Sequence, residues 1–380
     1  MKIVLTLIMV LGLLLAQNRL SPLPLPKTYF IDLDIYPCDE ECLKEHLNRG
    51  EIFSFLAKYR PQIADEELKK YALLYSAMLN VPLFVRDKLY IQIAGEKKVF
   101  TTAIRKVIQS LSSNLIAKNI PFEISFTQIE NLNPTADLTV VFLTYEEIDK
   151  IDNITTSGTV FIPTLNKEFV PQQNGFFYGG IDYHKQLEKL IPAGENLAIF
   201  YIPTSSLSKD LTNYSQSLAK GSKIFEIKNR GRSLKSILHK NYSLNRYNIL
   251  FNTPPVTTAL ILSQLTYYDI TPPKKLSTQI NYHPKIIELT QKRDRKNFYI
   301  ANSITNTPPI EDAIASIYDV NLNYYWIIYS TFIGVEKLME LGNDFIEDFS
   351  NRQIDYSIRI EKASGNAFIP VEPQENREGF

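Results

Sequence analysis

Residues 88–120, KLYIQIAGEKKVFTTAIRKVIQSLSSNLIAKNI, are the stretch that decides the fold. The first part, Leu89–Gly95, is a short apolar run of strand-forming residues that ends at a glycine. From Val99 onward, apolar residues recur every four positions, which is the spacing of an amphipathic helix. A strand, a glycine turn and a helix form the first half of a βαβ unit, so the stretch predicts an α/β fold.

The same alternation of strand and helix patterns recurs in two series along the chain. Near-continuous apolar runs at 138–143 and 197–202 are typical of parallel strands that are buried on both faces. A long helix is expected at 321–341, and a closing β-hairpin is expected to turn at Gly365. We therefore predict two doubly wound parallel sheets covered by helices.

The composition is that of a globular protein without a strong charge. With 380 residues, 44% of them hydrophobic, the chain can form two domains or one two-lobed domain with an extension. Its 41 Lys and Arg residues balance its 41 Asp and Glu residues, so no net field steers it to nucleic acid or acidic lipid.

The first 16 residues predict export. Lys2 precedes an apolar run at 3–16 that is shorter than the about 20 residues needed to span a bilayer. A positive start, a run of this length and a cut after Ala16 are typical of a secretory signal peptide. Leu14 stands where a small residue is preferred, so an uncleaved anchor remains the alternative. We expect a periplasmic protein exported through the Sec pathway.

Residues 17–86 combine a proline-rich leader with a helical segment that contains both cysteines. Cys38 and Cys42 are four positions apart, and two cysteines in an exported chain usually form a disulfide, which here pins a local turn or helix start. A redox role is less favoured because the two-residue spacing of thioredoxin-like motifs is missing. Metal binding is weaker still, because His46 is the only nearby imidazole and a fourth ligand is lacking. We expect no metal and no cofactor.

The strand and helix series resembles the type I periplasmic-binding-protein fold over roughly residues 88–370. Residues 316–320 look like the helix start of amino-acid-binding members of that family, and 364–368 is similar to its closing hairpin. The extra helices before residue 88 resemble the plan of the lipoprotein activators of peptidoglycan synthases. The loop at 94–98 lacks the small and polar residues followed by glycine that transport receptors tend to have. The predicted boundaries are 1–16 for the signal peptide, 17–86 for the leader and helical segment, 87–195 plus 318–345 for lobe 1, 196–317 plus 346–372 for lobe 2, and 373–380 for the tail.

Polar residues that follow the predicted strands form the candidate ligand cleft. Ligands of open α/β sheets bind outside the carboxyl ends of the strands, and hydroxyl and amide groups suit a small zwitterion or sugar. The same residue types also cap helices and form turns, which is the competing explanation. The candidates are Gly95, Thr144, Tyr145, Thr164, Thr204, Ser205, Ser206, Asn252, Thr253, Asn302 and Ser303.

No enzyme motif stands out in the sequence. A nucleophile elbow, a phosphate loop and a dinucleotide fingerprint are all missing, and the four histidines are scattered without metal-ligand spacing. Residues 206–209 match Ser-x-x-Lys, but the Lys-Thr-Gly element of penicilloyl enzymes is missing. We therefore expect a protein that is not an enzyme.

Two functions remain open. The extra helices, the altered first loop and the cysteine pair favour an interaction or scaffold protein of the cell envelope, with a partner in peptidoglycan synthesis, secretion or flagellar machinery. The polar strand ends favour the alternative, a solute-binding receptor of a transport system for a small polar ligand such as an amino acid. Neither function predicts a nucleic-acid partner, and membrane contact is expected only through an uncleaved signal.

Overall fold

The chain divides into two compact units, one made of residues 1–88 with 118–121 and the other of the remaining residues. The predicted signal peptide, the leader and the 373–380 tail lie outside the described residues. The computed structural model describes residues 38–59, 65–79, 88–95, 97–118, 120–132, 135–154, 158–170, 175–192, 194–228 and 233–371.

The first unit contains three helices, α1 (Glu40–Asn48), α2 (Ile52–Lys58) and α3 (Glu66–Leu79). Cys38 and Cys42 form the predicted disulfide just where α1 begins. The Asp39 carboxylate caps this end of the helix by accepting a hydrogen bond from the Cys42 N–H at 3.0 Å. The apolar faces of the three helices share a small core of Leu43, Phe55, Leu56, Tyr59, Leu68 and Ala72.

The first sheet of the second unit has seven strands in the order β11-β12-β5-β4-β3-β1-β2. Strand β1 lies between β2 and β3, so that Ile91 pairs with both Ile124 and Leu138. The strands are β1 (Leu89–Gly95), β2 (Phe122–Thr127), β3 (Leu138–Phe142), β4 (Thr159–Ile162), β5 (Phe176–Tyr178), β11 (Phe349–Ser350) and β12 (Gln353–Ile354).

The second sheet repeats this plan in the order β14-β13-β10-β9-β8-β6-β7. Its hairpin turns at Gly365, whose φ of +56° is the left-handed conformation that glycine adopts readily. The strands are β6 (Leu197–Tyr201), β7 (Lys223–Glu226), β8 (Asn248–Asn252), β9 (Lys275–Ser277), β10 (Phe298–Asn302), β13 (Arg359–Ser364) and β14 (Ala367–Pro370).

Helices cover the two sheets. The apolar side chains of the strands and helices form separate cores on the two faces of the second sheet. None of the helices in the described part of the chain combines the length and apolarity needed to cross a bilayer. The α-helices are α4 (Lys97–Ala117), α5 (Tyr183–Leu190), α6 (Ser206–Leu218), α7 (Lys235–Leu238), α8 (Pro255–Tyr267), α9 (Pro284–Leu289), α10 (Pro309–Ser316) and α11 (Trp326–Leu338), and 3₁₀ turns include Ile129–Asn131, Tyr145–Asn153, Lys167–Phe169, Tyr242–Arg246 and Gln279–Asn281.

The two-lobed α/β architecture is confirmed, but each sheet is mixed rather than wholly parallel. In the first sheet β11 runs antiparallel to β12, and in the second β13 and β14 are antiparallel to their neighbours. Short turns join β11 to β12 and β13 to β14, and a short turn can join only antiparallel strands.

The chain crosses between the sheets three times, at positions that differ from the predicted boundaries. Helix α5 packs on the second sheet, where Leu187 joins the core of Leu197, so the first crossing precedes residue 195. Helix α10 packs on α4, and the hydroxyl of Tyr318, just after α10, lies 2.5 Å from that of Ser113 on α4, so the return crossing precedes residue 309. The third crossing follows β12 in the first sheet. The apolar spacing of a helix predicts which face is buried but not which sheet buries it.

Residues 316–320 end a helix instead of opening a long one. Helix α10 ends at Ser316, and Asp319 adopts a left-handed φ of +56°. The Asp312 carboxylate then accepts a hydrogen bond from the Leu322 N–H at 2.8 Å, which stabilises a turn. Helix α11 therefore starts only at Trp326, later than the predicted 321.

Candidate ligand cleft between the lobes

Each sheet has one position at which the direction of strand addition reverses. Strand β1 lies between β2 and β3, and β6 lies between β7 and β8. Ligands of open α/β sheets bind beside such a switch point, outside the carboxyl ends of the strands. The loops after β3 and β6 are therefore the places where the two lobes would contribute to one ligand site.

A cavity of about 300 Å³ lies at these strand ends. Known ligand pockets occupy about 300–1,000 Å³, so this cavity matches a small ligand. Both lobes contribute to it, because Tyr145 opens the 3₁₀ turn after β3 and Ser206 opens the helix after β6. The cavity is lined by Tyr145, Phe169, Tyr183, His184, Ser206, Leu207 and Asp210.

The first-lobe wall is formed by two aromatic residues from 3₁₀ turns. Thr144 begins the turn that carries Tyr145, and its N–H donates to the Glu147 carboxylate at 2.9 Å in a capping box. Asn166 caps the next turn, which ends at Phe169, by accepting from the Glu168 N–H at 3.0 Å. The rings of Tyr145 and Phe169 meet edge to face with 6.4 Å between centroids.

The second-lobe wall is formed by the N-terminal parts of α5 and α6. His184 on α5 forms a 3.0 Å contact between Nε2 and the Asp210 Oδ2 on α6. Its ring stacks on Tyr214 with 3.7 Å between centroids and 3° between planes. Tyr214 in turn donates its hydroxyl to Glu188. These contacts hold the imidazole in one orientation at the cavity.

One contact between aromatic rings joins the two walls. Phe169 of the first lobe meets His184 edge to face, with 4.5 Å between the ring centroids. Together with the stacking on Tyr214 and the pairing with Tyr145, this forms a continuous row of four rings across the cleft. Aromatic pairs of this geometry contribute about 0.5–1.5 kcal/mol each beyond their buried area, so the row stabilises the contact between the two walls.

The cavity carries one carboxylate and two protonated phenols. Burial, with the carboxylates of Asp210 and Asp182 adding to it, raises the pKa of Tyr145 to about 12. Burial also raises the pKa of Tyr183. Both hydroxyls therefore stay protonated at neutral pH, and no lysine or arginine is among the described lining residues. The lining suits an apolar group and a cation better than an anion.

Two of the predicted site residues, Tyr145 and Ser206, line the cavity. Thr204 and Ser205 lie in the turn just before α6, where the Ser205 hydroxyl accepts a hydrogen bond from the Ser208 N–H at 3.2 Å. Thr144 caps the 3₁₀ turn beside Tyr145. These three residues belong to the loops beside the cavity, but their side chains are not among those that line it.

The other predicted residues are packed inside the strand ends. Gly95 is buried beside β3, where an added Cβ would lie 3.2 Å from Phe142. The remaining side chains form hydrogen bonds within the protein: Thr164 with both backbone groups of Leu143, Asn252 with Thr212 through its amide nitrogen only, Thr253 with Thr258, Asn302 with Glu361, and Ser303 with Gln186.

Five residues of the lining were not among the predicted site residues: Phe169, Tyr183, His184, Leu207 and Asp210. Phe169 lies in a turn well beyond the end of β4, and Asp210 lies one helical turn after Ser206. Tyr183 and His184 belong to a helix whose place on the second sheet was not predicted. The four-residue spacing of Ser206 and Asp210 was the one signal that could have identified a lining residue, since both lie on one face of α6.

Several polar atoms near the carboxyl ends of β8 and β9 have no protein partner. Buried polar groups of this kind are normally satisfied by water or by a ligand, because leaving one unsatisfied costs about 1–3 kcal/mol. These atoms are Asn252 Oδ1, Thr278 Oγ1, Gln279 Nε2 and Asn281 Oδ1.

The first crossing between the lobes is tightly held. The Gly179 carbonyl accepts hydrogen bonds from the Tyr356 hydroxyl at 2.7 Å and the Ser330 hydroxyl at 2.9 Å. The Gly180 carbonyl accepts from the Gln353 amide at 3.0 Å. Because Gln353 and Tyr356 flank the third crossing, these bonds tie two crossings together at the hinge of the cleft.

A serine, a histidine and an aspartate line the cavity, but they do not form a catalytic triad. A triad needs a hydrogen bond from serine to histidine and another from histidine to aspartate. Among the described contacts, His184 reaches Asp210, whereas no hydrogen bond joins it to Ser206.

Comparison with known proteins gives structural neighbours only, since no family model and no curated protein sequence matches the chain. A branched-chain amino acid substrate-binding protein from Streptococcus pneumoniae, in complex with isoleucine, has a TM-score of 0.54 at 10% identity and covers 76% of this chain and 100% of its own. A branched-chain amino acid transporter protein from Thermus thermophilus with bound valine has a TM-score of 0.56 at 12% identity and covers 75% of this chain and 96% of its own. An extracellular ligand-binding receptor from Verminephrobacter eiseniae has a TM-score of 0.54 at 11% identity and covers 74% of this chain and 99% of its own.

Nearly the whole length of each of these neighbours aligns with this chain, but only about a tenth of the aligned residues are identical. Such low identity shows a shared fold and does not carry a ligand or a partner across. The mixed sheets, the three crossings and the neighbours together show that the chain has the two-lobed type I periplasmic-binding fold, in a divergent form.

Proposed function

We propose that this chain is an exported, non-catalytic binding protein whose lobes close on a small solute with an apolar body and an amino group. The cavity at the paired strand ends carries this proposal. Its aromatic lining suits an apolar body, and Asp210 suits an amino group through a charge-assisted hydrogen bond. Two of the structural neighbours hold isoleucine or valine, which combine these two chemical features.

The cavity shifts our preference away from the scaffold role that the sequence alone favoured. A scaffold role does not require a cavity between two lobes, a crossing held by hydrogen bonds or a histidine fixed in one orientation. The altered loop at 94–98, which counted against solute binding, does not contribute a described residue to the cavity lining. The receptor role therefore has the stronger support.

Thermal unfolding of the purified chain against amino acids, amines and sugars tests the proposal. A ligand that binds the folded state stabilises it by about 2.7 kcal/mol when present at 100 times its Kd. We expect apolar amino acids or amines to raise Tm and sugars to leave it unchanged. A uniform lack of response across amines and amino acids would contradict the proposal.

The variant Asp210→Asn identifies the site. It removes the charge while keeping the side-chain shape, and a hydrogen bond to a charged group contributes about 1.5–3 kcal/mol, so affinity should fall at least tenfold. The control is Asp269→Asn. Asp269 is exposed in the loop that leads to the amino end of β9, whereas the cavity lies at the carboxyl ends of the strands, so this change should not alter affinity. Equal affinity of the two variants would place the ligand elsewhere.

A second function, interaction with an envelope protein, has one specific observation in its favour. The small helical unit exposes large apolar side chains, including Phe53 at 60% and Met78 at 72% exposure. Scattered apolar residues are normal at protein surfaces, but several on one small unit favour a binding surface. Cross-linking of the full chain in cells, compared with a Phe53→Ser, Met78→Ser variant, tests this role. Partners that are recovered equally by both forms would count against it.

A further inference from the structure

The helical unit contains a cluster of metal-ligating side chains besides its disulfide. Cys42 and His46 are four positions apart on one side of α1, and Cys38 lies just before the residue that caps this helix. Their sulfur and imidazole nitrogen atoms all lie within 4.8 Å of one another, and all three residues are partly accessible to solvent. Among the described residues, this is the set of three ligand-type side chains that lies close enough to hold an ion.

The C-terminal cap of α1 fixes the histidine of this cluster. Gly50 adopts a left-handed φ of +72°, its N–H donates to the Leu47 carbonyl at 3.0 Å, and the Glu51 N–H donates to the His46 carbonyl at 2.9 Å. This is a Schellman motif, in which the side chains at the positions of His46 and Glu51 usually make an apolar contact. Here the His46 Nδ1 instead lies 2.6 Å from the Glu51 carboxylate.

A carboxylate on one ring nitrogen is the arrangement found around metal-binding histidines. It fixes the tautomer and orientation of the ring and makes the other nitrogen a stronger ligand. With Nδ1 donating to Glu51, the lone pair of His46 lies on Nε2. The cap therefore provides the supporting contact that the spacing of the cysteines and histidine alone does not show.

We propose that the reduced form of this unit binds one thiophilic divalent ion such as Zn²⁺ through Cys38, Cys42 and His46, with water at the fourth position. A dithiol reductant supplies two electrons and two protons, which break the S–S bond to give two thiols, and is itself oxidised to a disulfide. The ion then replaces the two thiol protons, which are released.

The geometry requires only small movements of side chains. Tetrahedral zinc with bonds of about 2.3 Å to sulfur and about 2.0 Å to nitrogen holds its ligand atoms roughly 3.5 Å apart. The two sulfur atoms and a ring nitrogen of His46 already lie within 4.8 Å of one another. The Cα atoms of the two cysteines are 5.4 Å apart, so rotation of their side chains separates the sulfurs. The same turn is thus cross-linked by a disulfide under oxidising conditions and by an ion under reducing ones.

Titration of the full chain with Co²⁺ tests the proposal. The oxidised protein and protein reduced with dithiothreitol, then freed of it without air, are compared by thiolate-to-cobalt charge-transfer absorption and by proton release. We expect one ion and two released protons per reduced chain, displacement of cobalt by Zn²⁺, and no thiolate band for the oxidised chain. A reduced chain without the band would overturn the proposal.

Variants separate the ligands from the general effect of an acidic helix. His46→Ala should weaken Co²⁺ binding by more than tenfold, and Glu51→Gln should weaken it by about 10- to 100-fold. The control Glu45→Gln removes an exposed carboxylate of the same helix that pairs with Arg49, and it should not change affinity. Equal losses in the Glu45 and Glu51 variants would refute a specific supporting role for Glu51. Because all three variants keep the disulfide, circular dichroism of their oxidised forms checks folding independently.

Discussion

The substitution Gly180→Ala should destabilise the second unit by several kilocalories per mole. Gly180 lies at the first crossing, where its N–H donates to the Leu165 carbonyl at 2.9 Å and its carbonyl accepts from Asn166 and Gln353 at 3.0 Å each. A Cβ added there would lie 2.3 Å from the carbonyl carbon of Leu165. Because the clash is with backbone, no side-chain rotation relieves it.

The structure gives the magnitude of this effect. Overpacking of a close-packed site costs about 1–3 kcal/mol, and the forced shift weakens three hydrogen bonds of about 1 kcal/mol each. The expected loss is therefore about 3–5 kcal/mol. That is a large part of the about 5–15 kcal/mol by which native proteins are stable.

Chemical denaturation of the variants, followed by fluorescence and circular dichroism, measures this loss. The matched control is Gly221→Ala, because a Cβ at Gly221 has no neighbour within 4 Å and meets only the cost of a φ of +84°. That strain is about 1–2 kcal/mol. If Gly180→Ala costs no more than Gly221→Ala, the crossing is not the close-packed hinge described above.

Two further predictions concern buried polar groups. Thr164→Val should lower stability by about 1–3 kcal/mol, because the hydroxyl both donates to the Leu143 carbonyl at 2.7 Å and accepts from its N–H at 3.1 Å, whereas Thr164→Ser should retain most of the stability. Equal effects of Val and Ser in denaturation curves would argue against this role. Burial lowers the pKa of Lys275 from 10.5 to about 8, so the unfolded chain binds more protons between these values and stability should rise as the pH increases from 8 to 10. Lys275→Met should remove this rise, and a variant that keeps it would show that another group is responsible.

The sequence alone identified the architecture, and two of its candidate site residues line the cavity. Alternation of strands and helices predicted the two lobes because the apolar period of each element depends only on local spacing. Tyr145 and Ser206 were among the candidates because each lies within a few residues of the end of a buried strand. The strand-end rule failed for Thr164 and Asn252 because it locates a residue at the edge of the sheet without indicating whether its side chain faces the cleft or the core.

The residues that sequence reasoning missed depend on long-range topology. His184 reaches the cavity only because α5 crosses to the second sheet, and Phe169 reaches it from a loop whose length does not determine its path. The predicted boundaries of the lobes also required knowledge of which sheet each helix covers. Which sheet a helix covers is decided by packing between segments far apart in the chain, and one sequence does not show these contacts.

The first sheet also has a consequence for how the chain is made. Gln353 donates to the carbonyl of Gly180, which lies 173 positions earlier, and β12 pairs beside β5 only when this late segment is available. A ribosome that adds about 5–20 residues per second therefore leaves the β5 edge uncovered for roughly ten seconds or more. An open strand edge pairs readily with other chains, so nascent copies need shielding during that interval. Chains shortened before Phe349 should accumulate as aggregates even though both earlier strand series are complete.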